Sequence, residues 1–132
     1  MYKTKIYNQD DYPLQDETYN IIGIAMEVHR ILGKGLLEIV YKDAIEYELI
    51  TRDIPYKREQ EYLINYKGTI LPHKFYADFL IYDEIIVEIK SKAGIIDEHY
   101  AQLINYLGIA KLEVGLIINF NEKSLQYKRV IN

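Results

Sequence analysis

Asp78 and Glu88, with Lys90 close behind, are the residues of this chain whose types and spacing point to chemistry. Over residues 75–82, Phe75, Ala77, Phe79 and Ile81 alternate with Tyr76, Asp78, Leu80 and Tyr82. Over residues 85–90, Ile85, Val87 and Ile89 alternate with Ile86, Glu88 and Lys90. This is the period of two that marks strands, and the two runs predict a β-hairpin with one continuous apolar face. A three-residue loop, Tyr82-Asp83-Glu84, sets Ile81 opposite Ile85 and keeps both apolar rows together. A two-residue loop would oppose Tyr82 to Ile85 and scramble the faces. In the favoured register Asp78 lies opposite Glu88 on the non-core face, with Lys90 two residues further along it. Each of two adjacent carboxylates raises the cost of ionising the other unless a cation lies between them. A divalent metal is the economical explanation, and a solvated polar face is the alternative.

Other elements must position this hairpin, and the bulk composition limits what they are. A chain of 132 residues with 49% apolar residues fits one domain around one core, without room for a separate recognition domain. The absence of Cys rules out disulfides and thiolate metal sites. The polar start, Met1-Tyr2-Lys3-Thr4-Lys5, and the lack of a bilayer-length apolar run lead us to expect a cytoplasmic protein with no membrane partner. A net charge of −4 argues against coating nucleic acid by charge alone. It does not exclude an enzyme that gathers acids around a metal, because the ion reverses the local sign. The 14 Tyr suit half-buried strands and helix flanks, or stacking on bases.

Residues 1–13 read as a polar N-terminal arm, and residues 14–132 as the single domain. Ile21, Ile22, Ala25, Val28, Ile31 and Leu32 recur at helical spacing, which predicts a helix over residues 15–32, capped by Asp16 or Thr18 and ended by Gly33. His29 near its end reads as a packing or capping residue. A second helix spans residues 36–50, with Glu38 in its first turn, where the helix dipole favours a carboxylate whatever its purpose. A strand over residues 59–66 ends at the Lys67-Gly68 turn, ahead of the hairpin. A third helix, about 97–112, turns Leu103, Leu107 and Ala110 inward, with His99, Gln102 and Tyr106 together on a neighbouring stripe. Residues 114–120 are nearly all apolar, as a strand covered on both faces should be, and residues 124–131 give a last edge strand. The order is helix, helix, three strands, helix, strand, strand: an α/β layer with a mixed sheet.

Asp78 followed by Glu88-x-Lys90 resembles the signature of the PD-(D/E)xK nuclease superfamily. The run from Val28 to Tyr41 looks like the defining block of the GxxExxY family, with Gly35, Glu38 and Tyr41 at the named positions. Gln102-Leu103-Ile104-Asn105-Tyr106 looks like the Q-x-x-x-Y element of RecB-type nucleases, and Gly115 to Phe120 with Lys128-Arg129 resemble that family's closing strands. The similarity runs from about residue 18 to residue 131 in the expected order.

The resemblance implies a PD-(D/E)xK nuclease-like core, a mixed β-sheet flanked by helices, and a Mg²⁺- or Mn²⁺-dependent nuclease hydrolysing phosphodiester bonds of nucleic acid, DNA ahead of RNA. Carried over by position, Glu38, Asp78, Glu88, Lys90 and Gln102 form the catalytic set. Asp78, Glu88, the Ile89 carbonyl and Glu38 are the metal ligands, Glu38 directly, through water or to a second ion. Tyr106, His99 and Lys92 face substrate, and Lys57, Arg58, Lys74 and Lys128 are further candidates to guide a phosphate backbone. Hard oxygen donors without a His or Cys cluster suit Mg²⁺ or Mn²⁺ rather than Zn²⁺. A second copy or a partner protein is a possible source of specificity. The competing readings are a noncatalytic nucleic-acid- or protein-binding module that keeps the fold, and an enzyme acting on another phosphodiester or nucleotide.

Overall fold

The computed structural model describes residues 13–95 and 97–132. The expected arm, residues 1–13, lies outside the described residues apart from Pro13. The elements in order are α1 (Gln15–Leu32), α2 (Glu38–Thr51), β1 (Tyr56–Tyr62), β2 (Asn65–Tyr66), β3 (Thr69–Ile70), β4 (Phe75–Ile81), β5 (Ile85–Lys90), α3 (Asp97–Ala110), β6 (Val114–Asn119) and β7 (Gln126–Ile131). Five strands form one sheet in the order β1-β4-β5-β6-β7. β5 and β6 are parallel, joined by α3 as the crossover such a pair requires, and the other neighbours are antiparallel.

The local signals explain most element ends. Gly33, at φ 74, closes α1 with its N–H on the His29 carbonyl at 2.8 Å. The expected caps at the start of α1 do not form. Thr18 is fully buried and its hydroxyl donates to the Gln15 carbonyl at 3.0 Å, while Asp16 lies in the first turn beside the positive end of the dipole. α2 begins at Glu38 rather than at residue 36. The strand expected over residues 59–66 divides. β1 runs from Tyr56 to Tyr62 and stops where its pairing with β4 stops, at Tyr62–Phe75. Beyond it β2 and β3 form a separate small hairpin around Lys67-Gly68, both at positive φ, with the Gly68 N–H on Asn65 Oδ1 at 2.8 Å.

The main hairpin has the register expected of it, Ile81 opposite Ile85, with Tyr82 and Asp83 at positive φ in the turn. Its surroundings differ from expectation, because neither face is open. On one side Phe79, Ile81, Ile85, Val87 and Ile89 pack beneath α1 and α2. On the other, Leu80, Ile86 and Ile117 form an apolar bed for Leu103 and Leu107 of α3. Burying each such side chain is worth about 1.5–3 kcal/mol, which is enough to hold α3 against the face read as non-core.

β4 also changes face partway along. Phe75 and Ala77 pack on the α3 side, whereas Phe79 and Ile81 pack beneath α1 and α2. The change falls at Asp78. Across from it Glu59 has φ 54, and the β1–β4 ladder is broken there between the Arg58–Phe79 and Gln60–Ala77 pairs. A left-handed residue inside a strand re-aims its neighbours as a β-bulge does.

Candidate active site

The β4–β5 ladder is regular from Ile81–Ile85 to Phe79–Val87 and then gives way to a side chain. The Ile89 N–H donates to Asp78 Oδ2 at 2.8 Å. Asp78 and Glu88 therefore come together at the point where the two strands stop exchanging backbone bonds. Glu88 is only 8% exposed, and its Oε1 is a buried oxygen without a hydrogen-bond partner among the described residues. Burial, then the neighbouring Asp78 carboxylate, pushes the Glu88 carboxyl up to about 9, against a partial offset from Lys90.

Glu38 reaches the same end of β5 by way of the α1–α2 corner. The fully buried Tyr41 stacks on Phe120 with ring centroids 4.3 Å apart. Its hydroxyl donates to the Gly33 carbonyl at 2.7 Å and accepts from the Leu36 N–H at 3.1 Å, so it closes the corner. Gly35, at φ 89, takes the left-handed conformation the turn requires. Glu38 then accepts the Ser91 N–H at 3.3 Å, while the Ser91 hydroxyl donates to the Leu36 carbonyl at 2.6 Å. Among the described residues no three His, Cys, Asp or Glu side chains are grouped as a metal would need, so Glu38 stands apart from the Asp78–Glu88 pair.

From α3, Tyr106 stacks on Phe75 at 3.9 Å, and Phe75 stacks on Tyr62 at 5.0 Å. Burial, followed by the Glu88 and Asp78 charges, raises the Tyr106 hydroxyl above its usual range. Burial and then the Lys92 and Lys90 charges lower His99, against a partial offset from Glu98 and Glu38. Gln102 is exposed, and no hydrogen bond joins it to Lys90 among the described residues. The backbone of the exposed Lys92 is bracketed by the fully buried Asn119, which accepts its N–H at 3.2 Å and donates to its carbonyl at 2.7 Å. Two cations expected to guide phosphate are engaged elsewhere. Arg58 bonds Asp43 at 2.8 Å and Glu46 at 3.1 Å, and Lys74 bonds Glu61 at 2.9 Å.

Lys42 is a contact of the site that sequence reasoning passed over. Its Nζ lies 3.0 Å from Asp78 Oδ1 and also bonds Glu59. Burial works against the ammonium, but the bonds to Glu59 and Asp78 outweigh it and Lys42 titrates above its usual range. One signal was available: Lys42 is four residues after Glu38 and shares its helix face. Ser91, Asn119 and Glu59 carried no such pattern, because each acts through backbone contacts or a left-handed backbone conformation that arises only in the folded chain.

The donors on the pair are all oxygen, and the orphaned Glu88 Oε1 is the atom a hard cation would satisfy. The residues fit Mg²⁺ or Mn²⁺ as a two-carboxylate site.

The family model of the PD-(D/E)XK nuclease superfamily matches residues 15–130. The chain belongs to that superfamily, and its five-stranded mixed sheet flanked by helices is the corresponding nuclease-like fold. Among solved structures, the crystal structure of SSO0001 is similar over 90% of this chain, with a TM-score of 0.59 and 21% identity. The chain covers 60% of that protein's length, and the likeness is one of fold. No curated protein matches the chain. Among the described residues no helix is long and apolar enough to cross a membrane.

Proposed function

We propose that the chain is a Mg²⁺- or Mn²⁺-dependent nuclease of the GxxExxY type, acting on DNA in preference to RNA in the cytoplasm, with residues 14–132 as its one domain. The observation that carries this reading is Glu88, a buried carboxylate with an orphaned oxygen placed against Asp78. A structural hairpin has no use for such a pair, since a buried polar oxygen without a hydrogen-bond partner is costly. In this reading Asp78, Glu88 and the Ile89 carbonyl hold the ion. A bound ion supplies polarisation of the phosphate and makes the attacking water more acidic. Lys90 orients that water and offsets developing charge. Glu38, held near Ser91, acts through water rather than as a direct ligand. Tyr106, His99, Gln102 and Lys92 line the approach of the nucleic acid, where a phosphate or base meets an aromatic face and hydrogen-bond donors.

A noncatalytic binding module is the second reading, and one observation favours it: Lys42 and the Ile89 amide between them already occupy both oxygens of Asp78. Incubation with labelled single-stranded DNA, duplex DNA and RNA, with Mg²⁺, with Mn²⁺ and with chelator, separates the two. The nuclease reading expects metal-dependent shortening of at least the single-stranded or duplex DNA. Intact substrates in every metal condition would leave the binding module.

A further inference from the structure

Lys42 is placed to do more than balance charge. Its side chain is 12% exposed and is shared between two carboxylates of different standing, the half-buried Asp78 and the open Glu59, which is 49% exposed. Glu59 gets there through a strained backbone. Its φ of 54 breaks the β1–β4 ladder opposite Asp78 and sends its carboxylate to the ammonium. The surrounding contacts fix that arrangement: one turn further along α2, Glu46 accepts from Tyr56 at 3.0 Å and from Arg58 at 3.1 Å, which ties β1 to the helix that carries Lys42. On the other side of Asp78, Oδ2 is held by the Ile89 N–H, so the oxygen that Lys42 covers is the one left over.

We propose that Lys42 is an internal cation that occupies Asp78 when no metal is bound and is handed to Glu59 when one arrives, so that the pair sets the metal affinity of the site. This rests on the reading of Asp78 and Glu88 as the metal-holding carboxylates. An arriving cation meets an ammonium on the Asp78 oxygen and is repelled by it. Lys42 can withdraw without stranding a buried charge because Glu59 is already in contact with it. Lys42 therefore lowers metal affinity, and Glu59 limits how far it does so.

Titration calorimetry with Mn²⁺ on the wild type, Lys42→Gln, Glu59→Gln and the double variant tests the exchange, with Asp78→Asn as the control for the site. The expected result is binding about tenfold tighter in Lys42→Gln, as removal of a neighbouring unit charge implies. Glu59→Gln should bind about threefold more weakly, because Lys42 is then committed to Asp78, and that weakening should vanish in the Lys42→Gln background. A through-space effect of the Glu59 charge would instead persist in the double variant and would overturn the handover. Wild-type binding that is unchanged or weakened in Lys42→Gln would overturn the inference and leave the nuclease reading standing. Binding by Lys42→Gln alone would overturn the handover, because Lys42 would then block the site instead of yielding it. Absence of binding in all proteins would remove both. If Lys42→Gln does not fold, Lys42→Met, which keeps the aliphatic stem and loses the charge, takes its place alone and in the double variant, and the same outcomes decide.

Discussion

Asp78 Oδ2 accepts the Ile89 N–H at 2.8 Å, standing in for the backbone carbonyl that a continuing ladder would have supplied. The side chain thus has a structural duty beside its proposed chemical one, and the two separate by substitution. Asp78→Asn keeps an oxygen for the amide and loses the charge. It should change stability by no more than about 1 kcal/mol, since Lys42 retains Glu59 and Glu88 is relieved of a neighbouring carboxylate. Asp78→Ala strands the Ile89 amide and should cost about 1–3 kcal/mol. Urea unfolding in chelator measures both, and equal losses in the two variants would contradict the assigned bond.

Glu88 makes the apo fold sensitive to pH. Its carboxyl ionises near 4.5 when unfolded and, through burial and then Asp78, at about 9 when folded. Between those values the folded state keeps a proton that the unfolded chain has released, so stability present at low pH is lost as pH rises through that window. Glu88→Gln removes the dependence. In chelator it should be more stable than the wild type by roughly 1–3 kcal/mol at about pH 8, with the gain shrinking toward about pH 5. Chemical denaturation across that range checks it, and a gain independent of pH would assign the effect to packing instead.

Tyr41 closes the corner from which Glu38 projects, through its bonds to Gly33 and Leu36. Tyr41→Phe keeps the stack on Phe120 and removes both bonds. The expected loss is about 1–2 kcal/mol, seen as a lower urea midpoint at constant m, together with slower metal-dependent cleavage because Glu38 loses its position. Unchanged cleavage would detach Glu38 from the chemistry.

The hairpin, its register and the mixed α/β architecture were legible because each rests on a repeating pattern. Period-two alternation set the strands, Gly33 ended α1, and an uninterrupted apolar run marked β6 as interior. The second core beneath α3 was hidden by the same alternation. In the sequence alternation Leu80 and Ile86 fall on the row of Asp78 and Glu88, and the acids made that row read as polar. Bringing Asp78 and Glu88 together followed from register, which is local. The engagement of Lys42 depends on a left-handed Glu59 that no propensity announces. Gln102 shows the limit of helical spacing: it shares a stripe with Tyr106, yet Tyr106 stacks on Phe75 and Gln102 stays exposed, one turn away.

The central claim is that the Asp78–Glu88 pair holds a divalent cation, and thermal melts of the wild type, Asp78→Asn and Glu88→Gln over a Mn²⁺ titration test it most directly. Binding to the folded state alone raises the melting temperature by mass action, about 2.7 kcal/mol of stabilisation at one hundred times the dissociation constant. The account expects the wild type to climb with added Mn²⁺ while both variants stay near their metal-free values. The same metal-dependent rise in all three proteins would contradict it.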